Sequence, residues 1–536
     1  MNFNYLDSPY SSNQNTTFSQ NGMVATTQPL AAQAGLDILK KGGNAVDAAV
    51  ATAACLTVVE PTSNGIGGDA FAIVYIKDKM YGLNASGHSP KSISIEKVKN
   101  RGHQKMPKRG FIPVTVPGAP SAWSSLVKRF GNLKLTDVLK PAIKYATNGY
   151  PVSPTVSKNW QNAFNIYKDN LKGEEYQSWF DTFTINGKPP KPGQIWNSKD
   201  HAKTLKLIAE TNADSFYKGK LADKIDTFFK KYDGFLSKDD LKSHLVEWVD
   251  PISVKYRGYD VWELPPNGQG LVALLALKIL NGFDFPYKET IDTYHKQIEA
   301  LKLAFADGKK YITDQDKIKI DLDEILSDSY INNRRRLINE TALKPVPGKL
   351  KSGGTVYLST ADKDGNMVSY IQSNYMGFGS GLVVPDTGIA LQNRGHSFSL
   401  NKNDHNCLEP NKRTYHTIIP GFLTKDNQAI GPFGVMGGFM QPQGHLQVLM
   451  NLIDFNLSPQ ASLDAPRWQW IEDKKILVES DFDSNIAKKL IQKGHKIEVA
   501  LDSGSFGRGQ IILKDYENNT YLGGTEKRAD GHIAVY

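Results

Sequence analysis

The sequence predicts a layered α/β fold with antiparallel sheets. Strand-like and helix-like stretches come in blocks rather than in strict alternation, which argues against a purely parallel sheet. Residues 69–84 and 356–373 each read as strand, short polar turn and strand, the pattern of a β-hairpin. The chain has 536 residues, 40% of them apolar and 22% charged, enough length and apolar content for a large buried core. No internal repeat is present.

After a polar segment at 1–21, expected to be loose, residues 22–26 read as a short strand. A helix follows, with Thr27 as N-cap, Pro29 in its first turn and Gly42-Gly43 as its stop. A second helix starts at Asn44, and its alanine, threonine and valine are small enough to pack on nearly every side. GIGGD at 65–69 is a glycine turn feeding a strand; Lys77-Asp78-Lys79 turns the chain into the next strand. The stretch 134–148 reads as a helix that Pro141 kinks and Gly149 ends, and VKYRGYDVWE at 254–263 as one strand. Helices are predicted over 271–280 and around Ile298, Leu301 and Phe305, whose spacing is helical. Residues 339–354, NETALKPVPGKLKSGG, read as a flexible linker, because prolines, glycines and lysines leave little to bury. Strands and turns dominate 355–440, and helices return at 443–452 and 459–465.

Composition narrows the function classes. The net charge of +9 comes from scattered lysines, and the dense triplet Arg334-Arg335-Arg336 reads as a solvated helix end, so no nucleic-acid partner is expected. No apolar run reaches the roughly 18 residues a membrane span needs, and the first twenty residues lack the basic and apolar regions of a secretory signal. The cytoplasm is the expected compartment. Cys55 and Cys407 form no disulfide framework and no metal-ligand spacing, and HExxH is absent, so neither metal nor cofactor is expected. GIGGD lacks the Gly-Lys-Ser/Thr ending of a P-loop and precedes a strand, so it reads as a structural turn that could line a pocket.

The distinctive feature is Thr355. It follows Gly353-Gly354 and the linker, and it opens a regular strand. Cleavage before it would give one residue both a hydroxyl and an α-amine titrating near ~8. The amine could then take the hydroxyl proton, so nucleophile and base would sit together. GVMGG at 434–438 ends a strand and could be a bulge, or could present two backbone N–H groups to an oxyanion.

Several stretches carry a resemblance: 22–75 from GMVATTQPL to GGDAFAIVY, VPGAPSAW at 116–123, EALKLAFAD at 299–307, TVYLSTADKDGN, FGSGLVVPDTGIALQNRG and GVMGGFMQPQGHLQVLMNLIDF. Together they resemble the γ-glutamyltranspeptidase family of N-terminal-nucleophile hydrolases over nearly the whole chain. The resemblance implies an αββα sandwich made as a single proenzyme chain and cut between Gly354 and Thr355. The fragments would be a large one, 22–354 with the N-terminal segment, and a small one, 355–536, each the other's partner. It implies Thr355 as nucleophile, Ser373 as its hydroxyl neighbour and Gly437-Gly438 as oxyanion donors.

The departures concern the substrate. Thr355-Val356-Tyr357 stands where the family has Thr-Thr-His. NASGHSP, with Ser86 and His88, replaces a segment whose arginine meets the α-carboxylate. Gln392-Asn393-Arg394-Gly395-His396-Ser397 replaces a loop whose aspartate grips the α-amine, and His416-Thr417 replace paired serines. The segment 400–411 is short for the usual lid. Gaining Arg394 while losing that aspartate favours an anionic acyl group without an ammonium. The expected substrate is therefore a small carboxylate-bearing amide, with Arg394, Asn393, His416, Thr417 and His88 around it. The pattern is closer to the family's acylase and oxamate-amidohydrolase-like branch than to its glutathione-cleaving members. True γ-glutamyl hydrolysis or transfer is the alternative within enzymes, and an uncleaved binding protein the alternative outside them; a homo-oligomer is left open.

Overall fold

The computed structural model describes residues 1, 3, 9–12, 14–318, 321–345 and 354–536. Half of the expected linker, 346–353, and residues 2, 4–8 and 13 of the expected loose start lie outside the described residues. In chain order the strands that build the two main sheets are β1 (Thr17–Ser19), β2 (Met23–Thr26), β3 (Asp69–Ile76), β4 (Lys79–Asn84), β5 (Glu247–Val249), β6 (Ile252–Tyr256) and β7 (Tyr259–Glu263). Then come β8 (Gly354–Ala361), β9 (Met367–Tyr375), β10 (Gly421–Lys425), β11 (Gln428–Met436), β12 (Arg508–Asp515), β13 (Thr520–Thr525) and β14 (His532–Val535). One sheet runs β14-β2-β8-β9-β3-β4-β5 and the other β1-β13-β12-β11-β10-β7-β6, with every pair antiparallel.

The alternation of side chains along the strands sets the layers. On β8, Tyr357 joins Phe71, Ile371, Phe422 and Ile512 in the core between the sheets. Its neighbours Val356 and Leu358 point the other way, into a core shared with α1 (Pro29–Lys40) and α2 (Ala45–Val59). The opposite sheet turns Val261, Phe433, Val435 and Ile511 toward α4 (Gly270–Leu280), α5 (Ile291–Tyr311) and α6 (Met440–Ile453); α3 (Pro154–Asn170) lies earlier in the chain. The result is helix, sheet, sheet, helix. Each fully buried Val, Leu or Phe contributes roughly 1.5–3 kcal/mol, and both faces of both sheets are covered. Every residue of α2 is buried, and Asn44 closes its start through a capping box with Asp47. Among the described residues no helix is long and apolar enough to cross a membrane.

Several expectations are corrected. Residues Thr17–Ser19, inside the segment expected to be loose, pair with β13 and shield its edge. Thr27 does not cap α1; the N-cap is Gln28, and the Thr27 hydroxyl instead donates to Glu60. The stretch 254–263 lies in the β6–β7 hairpin, because Arg257 takes a positive φ of 50° before Gly258. Arg257 is held there by Asp454 at 2.9 Å, a partner that local turn chemistry cannot reveal. The helix expected over 134–148 breaks at Leu139, and Pro141 sits in the first turn of the second piece. Arg334 and Arg335 are not simply solvated: they donate to Leu303 O and Ile279 O, tying their helix to α5 and α4.

The first part of the expected linker is anchored. Leu343 N donates to Glu299 Oε2 (2.8 Å), Lys302 Nζ to Leu343 O (2.8 Å), and Ala342 N to Lys493 O (2.7 Å). Buried polar groups on α5 need partners, and this backbone supplies them.

Candidate active site

Thr355 is the second residue of β8 and only 2% exposed. Its strand pairs Gly354 with Tyr375 but Val356 with Gln372, so one extra residue is fitted into β9 opposite it. That bulge sets Ser373 Oγ 3.2 Å from Thr355 Oγ1. Ser373 Oγ also accepts from Tyr375 N (2.8 Å) and from Arg394 Nη2 (3.3 Å). Either hydroxyl can be the donor in the contact between Thr355 and Ser373.

Arg394 opens the short turn Arg394–Ser397 and is 1% exposed. Nη1 donates to Thr417 Oγ1 (2.7 Å), and the guanidinium lies 4.2 Å from the centre of the Tyr375 ring. Burial pushes its pKa down to about 10, opposed by Tyr375 and Asp69, so it is a cation at neutral pH. Its Nε is buried without a hydrogen-bond partner. Tyr375, which covers it, is held at φ 75°, a strained conformation for a side chain of this size.

Asp69 and His416 complete this buried network. Burial holds His416 well below the usual imidazole range, aided by Arg394, so the ring is neutral. Ile418 N donates to Nδ1, which leaves the proton on Nε2, 3.0 Å from Asp69 Oδ2. Gln392 Nε2 donates to the other Asp69 oxygen at 2.9 Å. Burial raises Asp69 to about 7, against the pull of Arg394 and Gln392.

Gly437 and Gly438 follow β11 with φ of 136° and 59°, conformations that favour glycine. A Cβ on Gly437 would stand 3.1 Å from Gly507 Cα. Gly437 O accepts from Met440 N at the start of α6 (3.0 Å), so the Gly438 N–H, on the far side of the same peptide plane, points away from the helix. Gln269 Nε2 fastens the loop by donating to Gly438 O (2.8 Å) and Thr417 O (2.7 Å).

Thr355 and Gly437 lie together in the wall of an open cleft of about 980 Å³. Met376, Gly377 and Met436 border them, α3 contributes Asn159, Asn162 and Tyr167, and the charged lining residues are Lys108, Arg109 and Arg508. No described carboxylate lines it.

Of the residues expected around the substrate, Arg394, Thr417 and His416 sit behind the nucleophile and do not line this cleft. Asn393 braces its wall, accepting from Met376 N (3.2 Å) and donating to Lys108 O (2.8 Å). His88 does not line this cleft either, and the charges that act on it are Arg413, Asp314, Glu247 and Asp316. Sequence reasoning missed Asp69, Gln392, Tyr375 and Gln269. Asp69 closes the GIGGD turn already marked as pocket-lining, whereas nothing local singles out Gln269.

Among the described residues, His295, Glu299 and His495 bring ligand-type atoms within 4.8 Å of one another. Lys302 Nζ lies 2.6 Å from Glu299 Oε1, and His295 Nδ1 bonds His495 Nε2 (2.9 Å). The carboxylate is already neutralised there, which fits a polar anchor better than a metal cage.

Comparison with known proteins places these features in context. The Gamma-glutamyltranspeptidase family matches residues 31–536. The glutathione hydrolase-like YwrD proenzyme of Bacillus subtilis (strain 168) is 38% identical over 95% of this chain and 97% of its own. The oxamate amidohydrolase proenzyme of Klebsiella pneumoniae is 32% identical over 97% and 99%. The crystal structure of cephalosporin acylase from Bacillus halodurans is 60% identical, covers 100% of this chain and 99% of that one, and superposes with a TM-score of 0.96.

Proposed function

The chain belongs to the gamma-glutamyltranspeptidase family and is an N-terminal-nucleophile amidohydrolase; we propose that it cuts itself before Thr355 and hydrolyses a small amide whose acyl part carries a carboxylate. The observation that carries this reading is the 3.2 Å contact of Thr355 Oγ1 with Ser373 Oγ beside Gly437 in an open cleft.

After cleavage the α-amine of Thr355 takes the proton from Oγ1, and Oγ1 attacks the amide carbon. Negative charge gathers on the carbonyl oxygen, where the Gly437 and Gly438 N–H groups at the start of α6 are suited to receive it. The proton passes to the leaving nitrogen, the C–N bond breaks, and the acyl group stays on Thr355 as an ester. Water then attacks that ester, releasing the acid and restoring Thr355. Ser373 donates to Oγ1 once that proton has left, and Arg394 polarises Ser373. The acyl carboxylate is set on the Arg394 side, where Nε still lacks an acceptor.

Glutathione-type chemistry needs an acid for the substrate ammonium, and the carboxylate of this network, Asp69, is engaged by His416 and Gln392. Turnover of glutaryl-p-nitroanilide against γ-glutamyl-p-nitroanilide, with oxamate as a third substrate, tests the acyl preference. Glutaryl turnover in excess is expected, and faster γ-glutamyl turnover overturns it. A Thr355→Ala chain that is still cut, or a wild-type chain that stays full-length on a denaturing gel, removes the self-processing step and favours a binding protein.

A further inference from the structure

The outer arm of the cleft is built for charge, and nothing above uses it. Arg508 begins β12 directly opposite Met436, the residue before Gly437, so the sheet register sets it beside the oxyanion loop. Glu526 Oε2 accepts from the next residue, Gly509 N, at 2.8 Å and fixes the start of this strand. Among the described residues the Arg508 side chain has one salt-bridge contact, Glu60 Oε1 at 3.4 Å from Nη1; Glu60 is shared with the Thr27 hydroxyl, and Asp502, which also feels the Arg508 charge, is paired with Lys158. Arg508 is 9% exposed, and its Nε is buried without a hydrogen-bond partner. Across the cleft, Arg109 bonds the carbonyl oxygens of Met376 and Gly379 and lies 4.7 Å from the Tyr167 ring centre; it pairs with no described carboxylate. Asn159, Asn162 and Asn170 add a polar face of α3 at helical spacing. Cations that outnumber the acids near them, in a walled cleft, raise the local concentration of anions.

Which half of an amide meets this arm follows from the chemistry. Water must reach the acyl ester once the amine has left, so the amine half occupies the solvent-open side of Thr355. Resting on the reading above, we propose that Arg508 and Arg109 form a carboxylate subsite for the leaving amine, with the α3 asparagines taking its polar body. The preferred substrate then carries an anionic group on both sides of the scissile bond.

N-glutaryl-4-aminobenzoate and N-glutaryl-aniline test this, since they share the acyl part and differ only by a carboxylate on the amine. Charge-assisted hydrogen bonds predict a kcat/KM ratio in favour of the carboxylated amide of about 10- to 100-fold, expressed mainly in KM. Arg508→Gln and Arg109→Gln should each pull the ratio toward one; if Arg508→Gln fails to process, Arg109→Gln carries the comparison. A wild-type ratio near one, or a ratio unmoved in both processed variants, overturns the subsite while leaving the acyl preference standing. If wild type cleaves neither amide, the acyl reading fails. Calorimetric binding of free 4-aminobenzoate against aniline then still decides the subsite: tighter binding that Arg109→Gln abolishes supports it, and equal binding refutes it.

Discussion

Arg394 and Arg508 flank the same nucleophile but are held in opposite ways. Arg394 lies behind Ser373, bonded to Thr417 and to Ser373, covered by Tyr375 and removed from the open cleft. Arg508 stands at a strand start in the cleft wall, with Glu60 at 3.4 Å as its acidic contact. Arg394 gives both Nη groups to protein hydroxyls and so organises the machinery, with only its buried Nε in reserve, whereas Arg508 keeps donors beside an open surface, where they can recognise. Burial alone does not distinguish them, since both are nine-tenths or more buried. The partners do.

The largest effect that bears on this comparison is at its centre. Thr355→Ala should leave a permanently full-length chain with no measurable turnover, read by gel and by assay. Next, Gly437→Ala forces a side chain to φ 136° against Gly507; a kcat loss of about 10²–10³-fold, the usual consequence of losing an oxyanion donor, is expected. Arg394→Met sharpens the inner half. As a positioning residue acting through Ser373, it should lower kcat by roughly 10–100-fold with a smaller change in KM, and its effect should fail to add to that of Ser373→Ala. Full additivity would mean that Arg394 acts on the acyl carboxylate alone and not through Ser373.

A smaller effect comes from Asp69. Folded, it keeps its proton up to about pH 7, whereas its ordinary value is 3.8. The folded chain therefore binds more protons between those values, and stability falls as pH rises through that window. Asp69→Asn should flatten this fall in denaturation curves taken between pH 4.5 and 7.5; an unchanged slope would assign the titration elsewhere. Smallest is Glu60→Gln, which loosens Arg508 from its neighbour; it should change kcat/KM for a carboxylated amine by only about threefold, as befits a long contact.

The local half of the site was legible in the sequence. Thr355 and Ser373 lie 18 residues apart on one hairpin, so a short turn and a bulge suffice to join them. The paired glycines after β11, the strands of both hairpins read at the outset and the buried α2 helix were likewise visible in periodicity and turn chemistry. Arg394 was visible as a residue, but the partners that hold it were not. Sequence reasoning set it against the substrate; the fold gives its Nη groups to Thr417 and Ser373 and draws Tyr375 over it.

By itself, then, the sequence determined most of the helix and strand segments and pointed to the hydroxyl proposed as nucleophile, because those depend on neighbours within a few turns of chain. Only the tertiary structure decided what surrounds that hydroxyl. Asp69 meets His416 across 347 positions, and Glu60 meets Arg508 across 448. Such contacts arise when two sheets pack and water leaves. Whether a charge ends beside an acid, a hydroxyl or an open cleft is then fixed by sheet register and desolvation, neither of which a local pattern of residues encodes.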